Sequence, residues 1–185
     1  PPLRPDNPFS NGYLSPKPKT SLVESCPLED LKELMLVSRH ERERSLLQFM
    51  YDSGVRRSEV GRLTVKDIDD ALNYDRNQLL TDDPQLTFSP NYAPLFIEGS
   101  KGRGNQIKPR YTLVSKCTLQ RVRRGHATPF FKKIQKRVPA SSMPAFLTSK
   151  GTAYTERTVT RLLERLSERA MKMKTIVRTY SPHTL

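Results

Sequence analysis

At 185 residues the chain is long enough for one well-packed domain and hardly for two. Lys and Arg outnumber Asp and Glu by 32 to 19, a net charge of +13 that favours an acidic partner. No apolar run approaches the length of a membrane-spanning helix, and the proline-rich start is not a signal peptide. Cys26 and Cys117 stand apart, with no CxxC or Cys/His cluster, and read as reduced thiols with no structural metal.

Residues 1–27 hold seven of the 15 prolines. Because proline fixes φ and donates no hydrogen bond, this stretch reads as an extended linker, either a disordered tail or an ordered strap across the surface. Residues 28–185 read as the domain proper. Pro27 suits the first turn of a helix, with Glu29 and Asp30 at its positive end and Leu28, Leu31, Leu34 and Met35 as the buried stripe. His40 falls at a helix junction, as a surface or capping residue. A second helix runs from about Glu41 to Ser53 and stops at Gly54, which can take the left-handed conformation.

The next residues, Val55-Arg56-Arg57-Ser58-Glu59, are therefore held in a tight turn. A guanidinium fixed there has lost most of its freedom in advance and can grip a phosphate in bidentate fashion. A helix-turn-helix with a solvated arginine pair would give the same local pattern. Leu63 to Asp69 alternates in strand fashion, whereas Asp70 to Pro94 matches no regular period. Leu95–Glu98 and Arg110–Val114 then flank Gly99, Gly102 and Gly104, which predicts a β-hairpin with a basic tip. Such a tip could cradle phosphate without chemistry, or supply a lysine to it.

Ser115 to Gly125 reads as a helix with a basic face, interrupted at Gly125-His126. Thr128 and Pro129 open another, with Phe130, Phe131, Ile134 and Val138 apolar. Phe146-Leu147 is a short buried strand or turn. Thr155 caps the strongest helix, where Val159, Leu162, Leu163, Leu166 and Ala170 form the core stripe and Arg157, Arg161, Arg165 and Arg169 an outer face. At the end, Ser181-Pro182 announces a new helix with His183 in its first turn.

From Gly99 to Thr155 there is no Asp or Glu but 13 Lys and Arg, which leaves 19 basic against 19 acidic residues in the rest of the chain. The whole excess sits in one block, the footprint of an extended polyanion such as nucleic acid. Candidate contacts are Arg57, Arg103, Lys108, Arg110, Arg121, Arg123, Arg124, Lys132 and Lys133.

Three stretches together resemble the tyrosine recombinase (phage integrase) family. G-V-R-R-S-E-V followed by D-I-D resembles its first arginine box, G-S-K-G-R-G its lysine hairpin with one added residue, and S-P-H-T-L the start of its H-x-x-R box. The resemblance implies an α+β, mostly helical catalytic domain with a small antiparallel sheet and an insertion between its first strands. It also implies that residues 1–27 are an interdomain linker. It assigns Arg56, Lys101 and His183 to catalysis, with Lys108 as the alternative lysine and Glu59 supporting Arg56. The reaction it implies is site-specific recombination of double-stranded DNA through a 3′-phosphotyrosine, with no metal, nucleotide cofactor or small-molecule substrate.

The second arginine of the pattern would follow Leu185, and none of Tyr13, Tyr51, Tyr74, Tyr92, Tyr111, Tyr154 and Tyr180 matches the nucleophile. The expectation is thus a catalytic domain cut short, inactive alone, whose parent self-associates on DNA in a bacterial cytoplasm, associated with the nucleoid. A non-catalytic DNA-binding regulator and a type IB topoisomerase share enough of the pattern to stand as alternatives.

Overall fold

The computed structural model describes residues 24–74, 90–99 and 109–185. Its spine is a helix that buries one broad face, with charged residues at its start. This is α2 (Glu41–Ser53), with Leu46, Leu47, Phe49 and Met50 at 2% exposure or less. Helix α1 (Leu28–Val37) lies against it and buries Leu31, Leu34 and Val37; Leu28 stays exposed, because Pro27 is the N-cap residue and sets the first turn at the surface. Ahead of α1, at the expected linker's end, Cys26 is buried, its amide donates to the Thr184 carbonyl, and burial pushes its thiol up to about 11.

Gly54 ends α2 at φ 60°, as its sequence requires, and α3 (Arg57–Val60) follows at once. The expected strand at Leu63–Asp69 is instead largely helix α4 (Val65–Leu72). Thr64 Oγ1 accepts from the Asp67 amide at 3.2 Å, while the Asp67 carboxylate accepts from the Thr64 amide at 2.8 Å. That reciprocal cap decides the matter. Val65, Ile68 and Leu72 fit a helical spacing as well as the alternation does, and Ile68 and Ala71 become the core face. Strand character survives only at its start, where the Leu63 carbonyl accepts from the Ala145 amide at 2.8 Å.

The hairpin pairs β1 (Tyr92–Ile97) with β2 (Arg110–Ser115) antiparallel, with Phe96 opposite Tyr111. It begins earlier than expected, inside the stretch that matched no period. Ala93, Leu95, Ile97 and Val114 are buried; Phe96, Tyr111 and Leu113 lie exposed on the other face. Helix α5 (Lys116–His126) stops at the expected break, with Ala127 as its C-cap residue. His126 Nε2 donates to the Ala145 carbonyl at 2.8 Å and its ring stacks on Phe131 in α6 (Pro129–Gln135), so it ties two elements together. Burial holds the His126 pKa below its usual value.

Helix α7 (Glu156–Lys172) is capped by Thr155 as expected and buries Val159, Leu162, Leu163, Leu166 and Ala170. At roughly 2 kcal/mol for each fully buried leucine, this stripe outweighs any helix propensity of the segment. The arginine face is not uniform. Arg165 turns to Glu43 at 2.7 Å and Arg169 to the Val37 carbonyl at 2.8 Å, clamping α7 on the α1–α2 corner. The closing residues form a turn at Ser181–Thr184, not the expected helix, held by the Thr184 amide on the Ser181 carbonyl at 3.0 Å. Among the described residues no helix is long and apolar enough to cross a membrane, and no group of His, Cys, Asp and Glu is placed to hold a metal.

Two glycines separate conformational from steric demand. At Gly54 an added Cβ meets nothing within 4 Å, so Gly54→Ala should cost only the left-handed penalty, about 1 kcal/mol. At Gly61 the Cβ would lie 2.1 Å from the Tyr154 carbonyl oxygen, so Gly61→Ala should cost about 3 kcal/mol. Urea midpoints measure both; equal losses would show that the backbone near Tyr154 yields.

Candidate functional site

The site is built on the turn between α2 and α3. Ser53 Oγ donates to the Phe49 carbonyl at 2.6 Å and accepts from the Val55 amide at 3.3 Å, tightening the exit from α2 around Gly54. Val55 is buried, which anchors the chain immediately before Arg56. Arg56 is the N-cap residue of α3, extended at φ −72° and ψ 150°, with its side chain at the surface. Its amide donates to Glu59 Oε2 at 2.9 Å, and its carbonyl accepts from the Glu59 amide at 2.8 Å. The arginine backbone is thus gripped at both ends by one residue.

Glu59 is 1% exposed, a burial no carboxylate tolerates unpaired. Its partner comes from the hairpin: Arg110 donates to the same Oε2 at 2.9 Å and to the Gly54 carbonyl at 3.2 Å. Burial alone would raise the Glu59 pKa, but the Arg110 and Arg56 amide bonds and the two guanidinium charges more than offset it, and the carboxyl sits below its usual 4.5. Thr112 Oγ1 adds a 2.7 Å bond to the Ser53 carbonyl, so β2 is fastened to the turn twice. Arg62 donates to the Gly99 carbonyl at 2.7 Å and pins the end of β1 beside α3. Lys101, Arg103 and Lys108, beyond Gly99, lie outside the described residues.

His183 is exposed in the closing turn, its amide 3.3 Å from Ser181 Oγ. That segment is tied to α7 by the Tyr180 amide on Ser167 Oγ at 3.1 Å, while Arg57 reaches the same helix at Thr160 Oγ1, 3.2 Å away, and at Glu156, 3.6 Å away. Thr160 and Ser167 are seven residues, about 10 Å, apart along the axis. Helix α7 is therefore the element shared by the arginine turn and the histidine turn.

Several candidate contact residues have internal partners. Beside Arg57 and Arg110, Arg121 pairs with Glu41 at 2.6 Å and with Gln48, and Arg123 lies 3.3 Å from Asp69. Arg124, Lys132 and Lys133 are exposed and carry no ion pair among the described residues. The clasp from Arg110 to Glu59 was missed in the sequence. The signal was slight, since Arg56 and Arg57 stand beside Glu59 in the sequence and offer nearer cations than Arg110.

No protein-family model matches the chain, and no curated protein matches it. Solved structures do. XerA recombinase superposes with a TM-score of 0.57 at 13% identity, covering 89% of this chain and 48% of that one. XerH site-specific recombinase bound to its difH substrate gives 0.53 at 17%, covering 89% and 40%. The Tn1549 transposon integrase in complex with circular-intermediate DNA gives 0.53 at 18%, covering 90% and 50%. The arrangement of helices around the two-stranded hairpin is thus the tyrosine-recombinase-like fold of these recombinase and integrase structures. The chain has that fold, and it spans half or less of the length of these structures.

Glu59→Gln should lower stability at neutral pH by about 2 kcal/mol, because Arg110 loses its charged partner in a half-buried site. The folded-state pKa lies below 4.5, so the carboxylate's contribution is present above about that pH and is lost as pH falls through the lower folded value. Denaturant titrations across that window should show a drop in the native protein that the glutamine variant lacks.

Proposed function

We propose that the chain is the catalytic-domain portion of a site-specific DNA recombinase of the integrase type, acting in its full-length form by cleaving and rejoining duplex DNA through a 3′-phosphotyrosine. The observation that carries the reading is the Arg56 turn, locked by Glu59 and Arg110, within a fold that matches recombinases over 89–90% of the chain. Two of those matched proteins, XerH and the Tn1549 integrase, were solved with DNA.

In this reading Arg56 neutralises the non-bridging oxygens of the scissile phosphate, where charge develops as a tyrosine oxygen attacks phosphorus. The bond to the 5′ oxygen breaks, and Lys101 protonates that leaving group. His183 exchanges a proton with the nucleophile or holds the phosphate, and the reverse sequence religates the strand. Glu59 acts as a positioning residue, since it touches the Arg56 amide and not the substrate. In this reading the nucleophile is none of Tyr51, Tyr74, Tyr92, Tyr111, Tyr154 and Tyr180, because none of them matches its place in the pattern. Tyr154 and Tyr180 are buried, their phenols pushed up first by burial, and Tyr180 donates to Asp30. Arg124, Lys132 and Lys133 contact the DNA backbone, with Arg57, Arg121 and Arg123 joining when their surface carboxylate partners give way to phosphate.

The 185-residue chain should bind duplex DNA with an affinity that falls steeply between about 50 and 200 mM salt, and each of Arg124→Gln, Lys132→Gln and Lys133→Gln should reduce the salt slope by roughly one. On a nicked suicide duplex the chain should form no covalent adduct, the full-length parent should form one, and Arg56→Ala in that parent should abolish it. Absence of duplex binding at low salt would sink the reading; an adduct on the chain itself would overturn its inactivity.

A further inference from the structure

Two grooves flank the first half of α7, and their charge differs. The groove on the side of the arginine turn holds Arg57, Arg157 and Arg161, but Glu156 and Glu164 lie among them and Glu156 already engages Arg57. The other is a hollow of about 470 Å³ between the start of α2, the turn at residues 148–152 and α7. Its cations are Arg42, Lys150, Arg161 and Arg165, with His40 at the edge. Its one carboxylate, Glu43, is buried and already satisfied by Ser38 Oγ at 2.9 Å and Arg165 at 2.7 Å.

That leaves Arg42, Lys150 and Arg161, none of which makes an ion pair among the described residues. Lys150 and Arg161 are exposed. Arg42 reaches the buried phenol of Tyr154, and its Nε is enclosed with no partner among the described residues. The rim is preset: the Thr148 amide donates to the Thr152 carbonyl at 2.8 Å, and the Lys150 amide lies 3.3 Å from Thr148 Oγ1, so the lysine stands on a closed turn. A single carboxylate could not occupy three separate cations, whereas a phosphate presents enough oxygens to meet two guanidinium forks and an ammonium together. The volume lies within the range of small-ligand sites.

We propose that this hollow is a phosphate-binding site distinct from the Arg56 turn, taking a phosphate group through Arg42, Lys150 and Arg161. The phosphate comes either from a duplex DNA backbone, a source that rests on the function proposed above, or from a free phosphate compound, which does not. Bound there, it ties α2 to α7 across the corner that Glu43 and Arg165 already join.

The test uses the whole chain, inorganic pyrophosphate by calorimetry and a fluorescent duplex by anisotropy. Lys150→Gln/Arg161→Gln should weaken pyrophosphate about tenfold or more, while Lys172→Gln, at the far end of α7, leaves it unchanged. Loss of about two from the duplex salt slope in the double variant, with pyrophosphate not bound by either protein, would assign the site to the DNA backbone. Weakened pyrophosphate with unchanged duplex binding would assign it to a free phosphate. If the chain binds pyrophosphate but no duplex, the site stands and the recombinase reading falls. Neither ligand responding to the substitutions would overturn the site. Should the double variant unfold early in a thermal scan, Lys150→Gln alone, on the exposed turn, repeats the comparison.

Discussion

The carboxylate of Glu59 is the constraint on which the rest of the architecture hangs. Removing a carboxylate from water costs several kcal/mol unless charged and hydrogen-bonded partners replace the lost hydration. Here the replacements come from two separate elements, the Arg56 amide on the α2–α3 turn and the Arg110 guanidinium on β2. Glu59 can be buried only when the turn and the hairpin have met. The Arg56 backbone is fixed by that carboxylate while its side chain stays at the surface.

The same logic organises the charge of the molecule. A net +13 reads at first as a field for a polyanion, yet a good part of it fastens elements to one another. Arg121 joins α5 to α2, Arg57 joins α3 to α7, and Arg165 and Arg169 hold α7 against the α1–α2 corner. The cations left over, among them Arg124, Lys132, Lys133, Lys150 and Arg161, are the ones whose charge faces outward. Partnering, more than the total, therefore separates structural arginines from those open to a ligand.

Features set by a few neighbouring residues were legible in the sequence. The limits of α2, the left-handed Gly54, the Thr128 and Thr155 caps and the buried stripe of α7 all follow from local chemistry. Leu63–Asp69 misled because its apolar residues fit both periods, and a reciprocal cap chose the helix. The arginine faces misled for another reason: Arg110 meets Glu59 across 51 residues, and Arg57 meets Thr160 across 103. No spacing rule reaches that far. The turn carrying Arg56 was readable, but what braces it was not, and the lysine of the hairpin lies outside the described residues.

The contact between Cys26 and Thr184 has a consequence for architecture on a larger scale. Arg178 reinforces it by bonding the Ser25 carbonyl and pairing with Glu24. The first and the last described segments therefore lie side by side. A disturbance at Glu24–Cys26 and one at Thr184 reach each other directly, without passing through the helices between them.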